Sequence, residues 1–238
     1  MKIPKGRKYT KRYCRSSGSY NRHSMSKSEP PVRPAPSQAF GLPTGADKRE
    51  RILAVAEHLF FRYGYLGTTL DMICSELGVT KPFVYYYFKD KQEIFETLTW
   101  QASVAVLTAM KFPAEDMRAA HMKLAEGLQR FMAANVANFR AGTFAYRDKA
   151  SLRPEFLARL QDLARDFYTD LCALMDAGRA EGQLSFAHTR LTAMAIGSVG
   201  GFMYTWYQPD GSLPPDEMAR ELTAILFKMV GLSAKPDV

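Results

Sequence analysis

The chain has 238 residues, enough for one large or two small domains with a buried core, and its formal net charge is +8. The charge is uneven. Residues 1–44 hold ten Lys/Arg against Glu29, which is +9, so the remaining residues sum to −1 and the basic character belongs to the front of the chain. Three well-separated cysteines (Cys14, Cys74, Cys172) and four scattered histidines (His23, His58, His121, His188) give neither a disulfide framework nor a metal-ligand spacing. No nucleophile motif or phosphate-cradling glycine loop occurs, so catalytic residues, metal and cofactor are all read as none, and the chain is not an enzyme.

Residues 1–43 are rich in Lys, Arg, Ser and Pro and are expected to be a disordered basic tail. Three readings of the tail stay open: it is inert, it adds salt-dependent DNA affinity, or it is an upstream stretch included in front of a start at Met25. It has no apolar core, so it is not a secretory signal. Order is expected from Thr44–Asp47, read as a capping box. Apolar positions 52, 53, 56, 59, 60 and 63 then repeat at helical spacing until Gly64. Thr68–Asp71 opens a second, short helix that Gly78 ends, Thr80 caps a third with Pro82 in its first turn, and Asp90 opens a fourth running to about Lys111. Further helices are predicted from Met117 to Phe139, briefly around Tyr146, from Pro154 to before Gly182, over 187–208, and from 212–216 to Gly231. No strand alternation appears. The fold class is therefore all-α: a three-helix helix-turn-helix DNA-binding domain over 44–92 and a larger helical effector-binding and dimerisation domain over 93–238.

Two short helices joined through Gly78-Val79-Thr80 have the form of a helix-turn-helix. Ile73, Leu77, Val79, Val84 and Phe88 fall where they can bury. That leaves Lys81, Pro82, Phe83, Tyr85, Tyr86 and Tyr87 on the other side of the third helix. Tyrosine hydroxyls donate to phosphate oxygens, and Lys81 can reach a base edge or a phosphate. Lys89 and Lys91 stand at a helix start, where the helix dipole disfavours cations and a nearby phosphate would offset it.

Phe60 to Ile73, then Leu77 to Phe88, and Lys91 together resemble the DNA-binding domain of the TetR family over about residues 48–95. Cys74-Ser-Glu departs from that family's usual alanine-rich helix. The resemblance implies that Thr69 and Thr80 cap helices and touch the DNA backbone. It further implies that Lys81, Pro82, Phe83 and Tyr85 enter the major groove, and that Tyr86, Tyr87 and Lys91 hold phosphates. It implies a cytoplasmic homodimeric repressor of double-stranded operator DNA. The helix over 187–208, apolar all round and rich in small residues, would form the dimer interface with the last helix. At 17 residues with three glycines, its apolar run Leu191–Tyr207 is too short for a membrane span.

Tyr146 to Lys149, Leu152 to Glu155 and Tyr204 to Gly211 are similar to TetR-family regulators of fatty-acid and steroid-ring degradation, which respond to acyl-CoA thioesters. Phe131, Phe139, Tyr146, Arg147, Phe167, Tyr168 and Trp206 are the expected effector residues. Arg140, Arg147, Arg153 and Arg165 are candidates for an anionic headgroup or are simply solvated. The alternative function is a non-specific architectural DNA-binding protein.

Overall fold

The structure is a computed structural model that describes residues 47–232. The expected basic tail and Thr44 of the first capping box lie outside the described residues. Among the described residues there are helices and turns and no strand. They run α1 Lys48–Gly67, α2 Leu70–Leu77, α3 Lys81–Tyr87, α4 Lys91–Leu107, α5 Ala120–Ala137, α6 Phe139–Arg147, α7 Pro154–Ala180, α8 Thr189–Gly201 and α9 Pro215–Val230, with 3-10 turns at Lys149–Ser151 and Met203–Thr205.

The helix starts follow local chemistry. The Asp47 side chain accepts the Arg49 amide, Thr69 accepts Met72 at 3.2 Å, and Asp90 accepts Glu93 at 2.6 Å, while Glu93 in return accepts the Lys89 amide. Thr80 departs from expectation. It occupies the cap position of α3 but its hydroxyl makes no capping bond there. Gly64 does break the first helix. Its φ of 74° kinks α1, and the chain makes a further short turn to Gly67. Buried Thr68 closes that kink by donating to the carbonyls of Leu59 and Gly64. Gly78, at φ 67°, supplies the left-handed residue that ends α2 and turns the chain into α3.

Other boundaries shift. α4 ends at Leu107, ahead of Lys111; α5 spans Ala120–Ala137, not Met117–Phe139; and the piece around Tyr146 is a full helix, α6. The helix expected over 187–208 is shorter. It ends at Gly201 and continues as a 3-10 turn.

Two groups of buried side chains hold the fold. One joins Leu124, Leu128 and Phe131 of α5 to Phe167 and Leu171 of α7, Ile196 of α8 and Leu226 of α9. The other joins Ile52 and Phe60 of α1, Ile73 of α2, Val84 of α3 and Phe88 to Phe95 of α4, Phe144 of α6 and Phe156 of α7. In this second core the Phe95 ring lies 5.2 Å from both Phe60 and Phe144. Packing therefore runs without a break across position 92, where the domain boundary was expected. Truncating such a ring costs about 3–5 kcal/mol.

The side of α8 turned away from the core is not covered by any of the described residues. Ala193, Ile196 and Gly200 face inward, while Leu191 (65% exposed), Met194 (54%) and, just past the helix, Phe202 (60%) form a bare stripe. The small residues have another use. Gly197 leaves room for the Tyr168 hydroxyl, Gly200 for the Asn135 carboxamide and Gly201 for the Tyr146 hydroxyl; a Cβ at these positions would lie 2.1, 2.8 and 3.1 Å from them.

Candidate nucleic-acid interface and effector cavity

α3 is anchored from one side. Val84 and Phe88 are buried in the core of α1, α2 and α4, and Phe83 and Tyr87 are half-buried against it. Tyr85 is 51% exposed and Tyr86 82%, with Lys81 and Pro82 exposed beside them. Tyr86 stands edge-on to Tyr87 at 4.9 Å, which limits its rotation. Lys81 pairs with Asp71 at 3.0 Å, and that bond holds the ammonium pKa above its ordinary value. Both partners are well exposed, so the pair is weak and Lys81 can exchange Asp71 for another anion. Thr69 and Thr80 are exposed at the starts of α2 and α3. Of the nine residues expected to meet DNA, eight thus share one region of α2 and α3, with Phe83 and Tyr87 also serving as packing.

Lys91 is the exception. Its ammonium donates to the carbonyls of Tyr65 and Thr68, both at 2.7 Å, and lies 4.1 Å from the centre of the Tyr65 ring. Burial pushes its pKa below the ordinary value. The cation that looked misplaced at a helix start is compensated by the carbonyls of the α1 turn, so no phosphate is needed to explain it.

A polar chain extends that clamp. Tyr65 donates its hydroxyl to Gln92, whose amide donates to the Ser151 carbonyl at 2.6 Å and to Glu96 at 2.9 Å. Glu96 in turn holds Arg153 at 2.7 Å. Arg147, the last residue of α6, donates to the carbonyls of Phe60 and Phe61 at 2.7 and 2.9 Å, and neighbouring Asp148 accepts the Tyr65 amide. α4 and α6 therefore both grip the end of α1.

The same two helices wall a cavity of about 300 Å3. α4 contributes Val106 and Leu107, α6 contributes Phe139, Gly142 and Tyr146, and Leu157 and Leu160 of α7 face them. Gly200, Gly201, Met203 and Tyr204 close another side, and the Tyr146 and Tyr204 rings stack 5.5 Å apart. Burial raises the pKa of Tyr146, reinforced by Tyr168 and Tyr204, so its hydroxyl is a neutral donor near neutral pH. A second depression, about 590 Å3, lies beside Phe112, Lys123 and Asp170. It is open and charged, and it touches neither α6 nor the grip on α1.

Two of the seven expected effector residues, Phe139 and Tyr146, line the apolar cavity. The other five do not. Phe131 and Phe167 stack on each other in the core at 5.1 Å, the Tyr168 hydroxyl abuts Gly197, Arg147 grips α1, and Trp206 lies half-exposed beside Tyr207. The arginines are likewise engaged elsewhere: Arg140 lies over Phe61, Arg153 is paired with Glu96 and Arg165 with Asp162. Sequence reasoning missed Gly142, Asn135 and Lys149 as lining residues. A glycine inside a helix was the available signal for the first.

Residues 52–98 match the family model of the bacterial regulatory proteins of the tetR family, and residues 118–230 match that of the tetracyclin repressor-like C-terminal domain. The chain is 24% identical over 152 residues to tetracycline repressor protein class C of Escherichia coli, a match covering 64% of each chain and so just under two thirds of that protein. Its fold is similar to a tetR-family regulatory protein from Rhodococcus RHA1, with a TM-score of 0.66 and 24% identity over 79% of this chain and 100% of that one. It is also similar to AibR in complex with isovaleryl coenzyme A and operator DNA, with a TM-score of 0.59 and 19% identity over 76% and 98% of the two chains.

Proposed function

We propose that this protein, which belongs to the TetR family of bacterial transcriptional regulators, is a homodimeric repressor that holds a palindromic operator through α3 and lets go when an amphipathic small molecule fills the cavity between α4 and α6. The observation that carries this reading is the exposure of Tyr85, Tyr86 and Lys81 on a helix pinned from behind by buried Val84 and Phe88. Tyr85 and Tyr86 stand side by side in water on a helix whose other face is buried. Their hydroxyls suit phosphate oxygens, and Lys81 suits a guanine edge or a phosphate. Thr69 and Thr80 supply further hydroxyls, and Pro82 and Phe83 supply apolar contact.

One α3 reads only a few base pairs, so two copies are needed, placed a helical turn or more apart. The bare stripe of Leu191, Met194 and Phe202, continued by exposed Ile225 of α9, offers the surface for that pairing. The domains in this reading are the helix-turn-helix region over 44–92 and the effector and dimer region over 93–238.

The effector acts by preferring one arrangement of the two helices it touches; without such a preference nothing shifts. Both α4 and α6 grip the end of α1 through Lys91 and Arg147. A ligand that moves either helix thereby moves the base of the DNA-binding helices. For the ligand itself, the AibR complex and the similarity of Tyr146–Lys149 to acyl-CoA-responsive regulators support a ligand with an acyl chain, as a CoA thioester or as the free acid. The cavity volume holds the acyl end of such a molecule, with the nucleotide of a thioester outside.

The test is a mobility shift on an operator selected from random DNA. The double variant Tyr85→Phe, Tyr86→Phe, which removes two phosphate hydrogen bonds of about 1 kcal/mol each, is expected to bind about thirtyfold more weakly with an unchanged melting temperature. Unchanged affinity would remove the interface. Acyl-CoA thioesters and other lipophilic ligands are then titrated in. If none of a broad panel releases the operator, the sensor reading fails.

A further inference from the structure

Gly142 stands in the interior of α6, where glycine is disfavoured, and a Cβ built there meets nothing within 4 Å. Its missing side chain serves no packing need of the protein; it opens onto the cavity that it lines. The glycines of α8 differ, because protein atoms already occupy the space beside them. The polar lining is equally uneven. Asn135 and Asn138 each tie an amide hydrogen to a carbonyl one turn back, those of Phe131 and Ala134. Among the described residues lining the cavity, Lys149 is the one ionised side chain. It follows directly on Asp148, whose charge is taken up by Arg147.

We propose that the cavity takes a compact medium-chain monocarboxylate, whose apolar body lies on the bare backbone of α6 at Gly142 and whose carboxylate meets Lys149, so that Gly142 sets the upper size of the ligand. This rests on the cavity being the effector site and names what enters it. Volume bounds the size. An apolar cavity of about 150 Å3 holds a benzene ring, so about 300 Å3 holds roughly a dozen non-hydrogen atoms, the size of octanoate or decanoate. Leu157, Leu160 and Met203 cover the chain, and Lys149, an exposed side chain of the lining, fixes its direction. A dianion or a triphosphorylated headgroup finds no second cation in the lining.

The test is calorimetric titration of the whole protein, free of DNA, with butyrate, hexanoate, octanoate, decanoate and palmitate, with octanamide, and with octanoyl-CoA. Affinity is expected to peak at octanoate or decanoate and to fall for butyrate and palmitate. Lys149→Gln is expected to weaken octanoate about fivefold and to leave octanamide unchanged. Gly142→Ala is expected to move the optimum toward hexanoate, and Gly142→Leu to abolish octanoate binding, both in proteins that melt no lower than the parent, since a side chain there relieves the helix of its glycine.

Undiminished octanoate binding by a folded Gly142→Leu variant overturns the proposal. So does equal affinity for acid and amide, or binding of octanoyl-CoA alone. The two readings separate cleanly. Octanoate that binds by these criteria but leaves the operator complex intact sinks the release mechanism and spares the site. A thioester that releases the operator while no carboxylate binds does the reverse.

Discussion

Replacing Lys91 with alanine separates two accounts of the same cation. In the structure its ammonium makes two 2.7 Å bonds, to the carbonyls that end α1 and begin the turn into α2. Hydrogen bonds to a charged group contribute about 1.5–3 kcal/mol each, and solvent screening of this partly exposed ammonium brings the two together below their summed range, to about 2 kcal/mol. The contact with the Tyr65 ring at 4.1 Å adds a smaller attraction of the same sign. For a chain of this size 1 kcal/mol shifts the melting temperature by about 2–4 °C, so Lys91→Ala is expected to melt about 4–8 °C lower. Operator affinity measured across salt concentrations, well below that melting temperature, is expected to keep its slope. A residue that neutralises a phosphate behaves oppositely: the melt is untouched and the slope of log affinity against log salt falls by about one. That second pattern would refute the clamp.

Gly78→Ala is expected to destabilise by about 1–2 kcal/mol in thermal melts, since φ is 67° and a Cβ there meets no neighbour, leaving backbone strain as the whole cost. For Glu96, burial alone would raise the pKa, but hydrogen bonds from Arg153 and Gln92 outweigh it and hold the carboxyl below its ordinary value of 4.5. A depressed folded pKa means stabilisation that is present above about pH 4.5 and lost as pH falls through the folded value. Glu96→Gln is therefore expected to be less stable at neutral pH and to flatten the acid limb of stability against pH; an unchanged acid limb would count against the pairing. Leu191→Glu combined with Phe202→Glu is expected to give monomers by sedimentation with helix content retained, because both side chains are exposed within the chain.

Much of this was legible in the sequence where local spacing decides the outcome. Ile73, Val84 and Phe88 bury as their positions require while Leu77 and Val79 are half-buried, Gly64 and Gly78 break helices, and Thr69 and Asp90 cap them; the cap of α1 is Asp47, where the expected box put it at Thr44. What periodicity does not carry is the identity of the partner across space. Lys91 looked like an unpaired cation because its carbonyl partners lie 23 and 26 residues away. Arg147 looked like a ligand's counter-ion, yet its partners are carbonyls 86 and 87 residues upstream. The small residues of α8 suggested close helix pairing, but they accommodate polar tips from α5, α6 and α7. Aromatic residues were all equal candidates for the cavity, and the division of Phe139 and Tyr146 from Phe131 and Phe167 depends on how α5 and α7 turn relative to α6.

Selection of bound fragments from random duplex DNA by the full-length protein, read out by sequencing, tests the central claim most directly. One enriched sequence with two-fold symmetry is predicted, its half-site centres separated by a helical turn or more, and the Tyr85→Phe, Tyr86→Phe variant is predicted to bind that sequence about thirtyfold more weakly. Binding without any enriched sequence, or undiminished affinity of the variant for the enriched one, would contradict it.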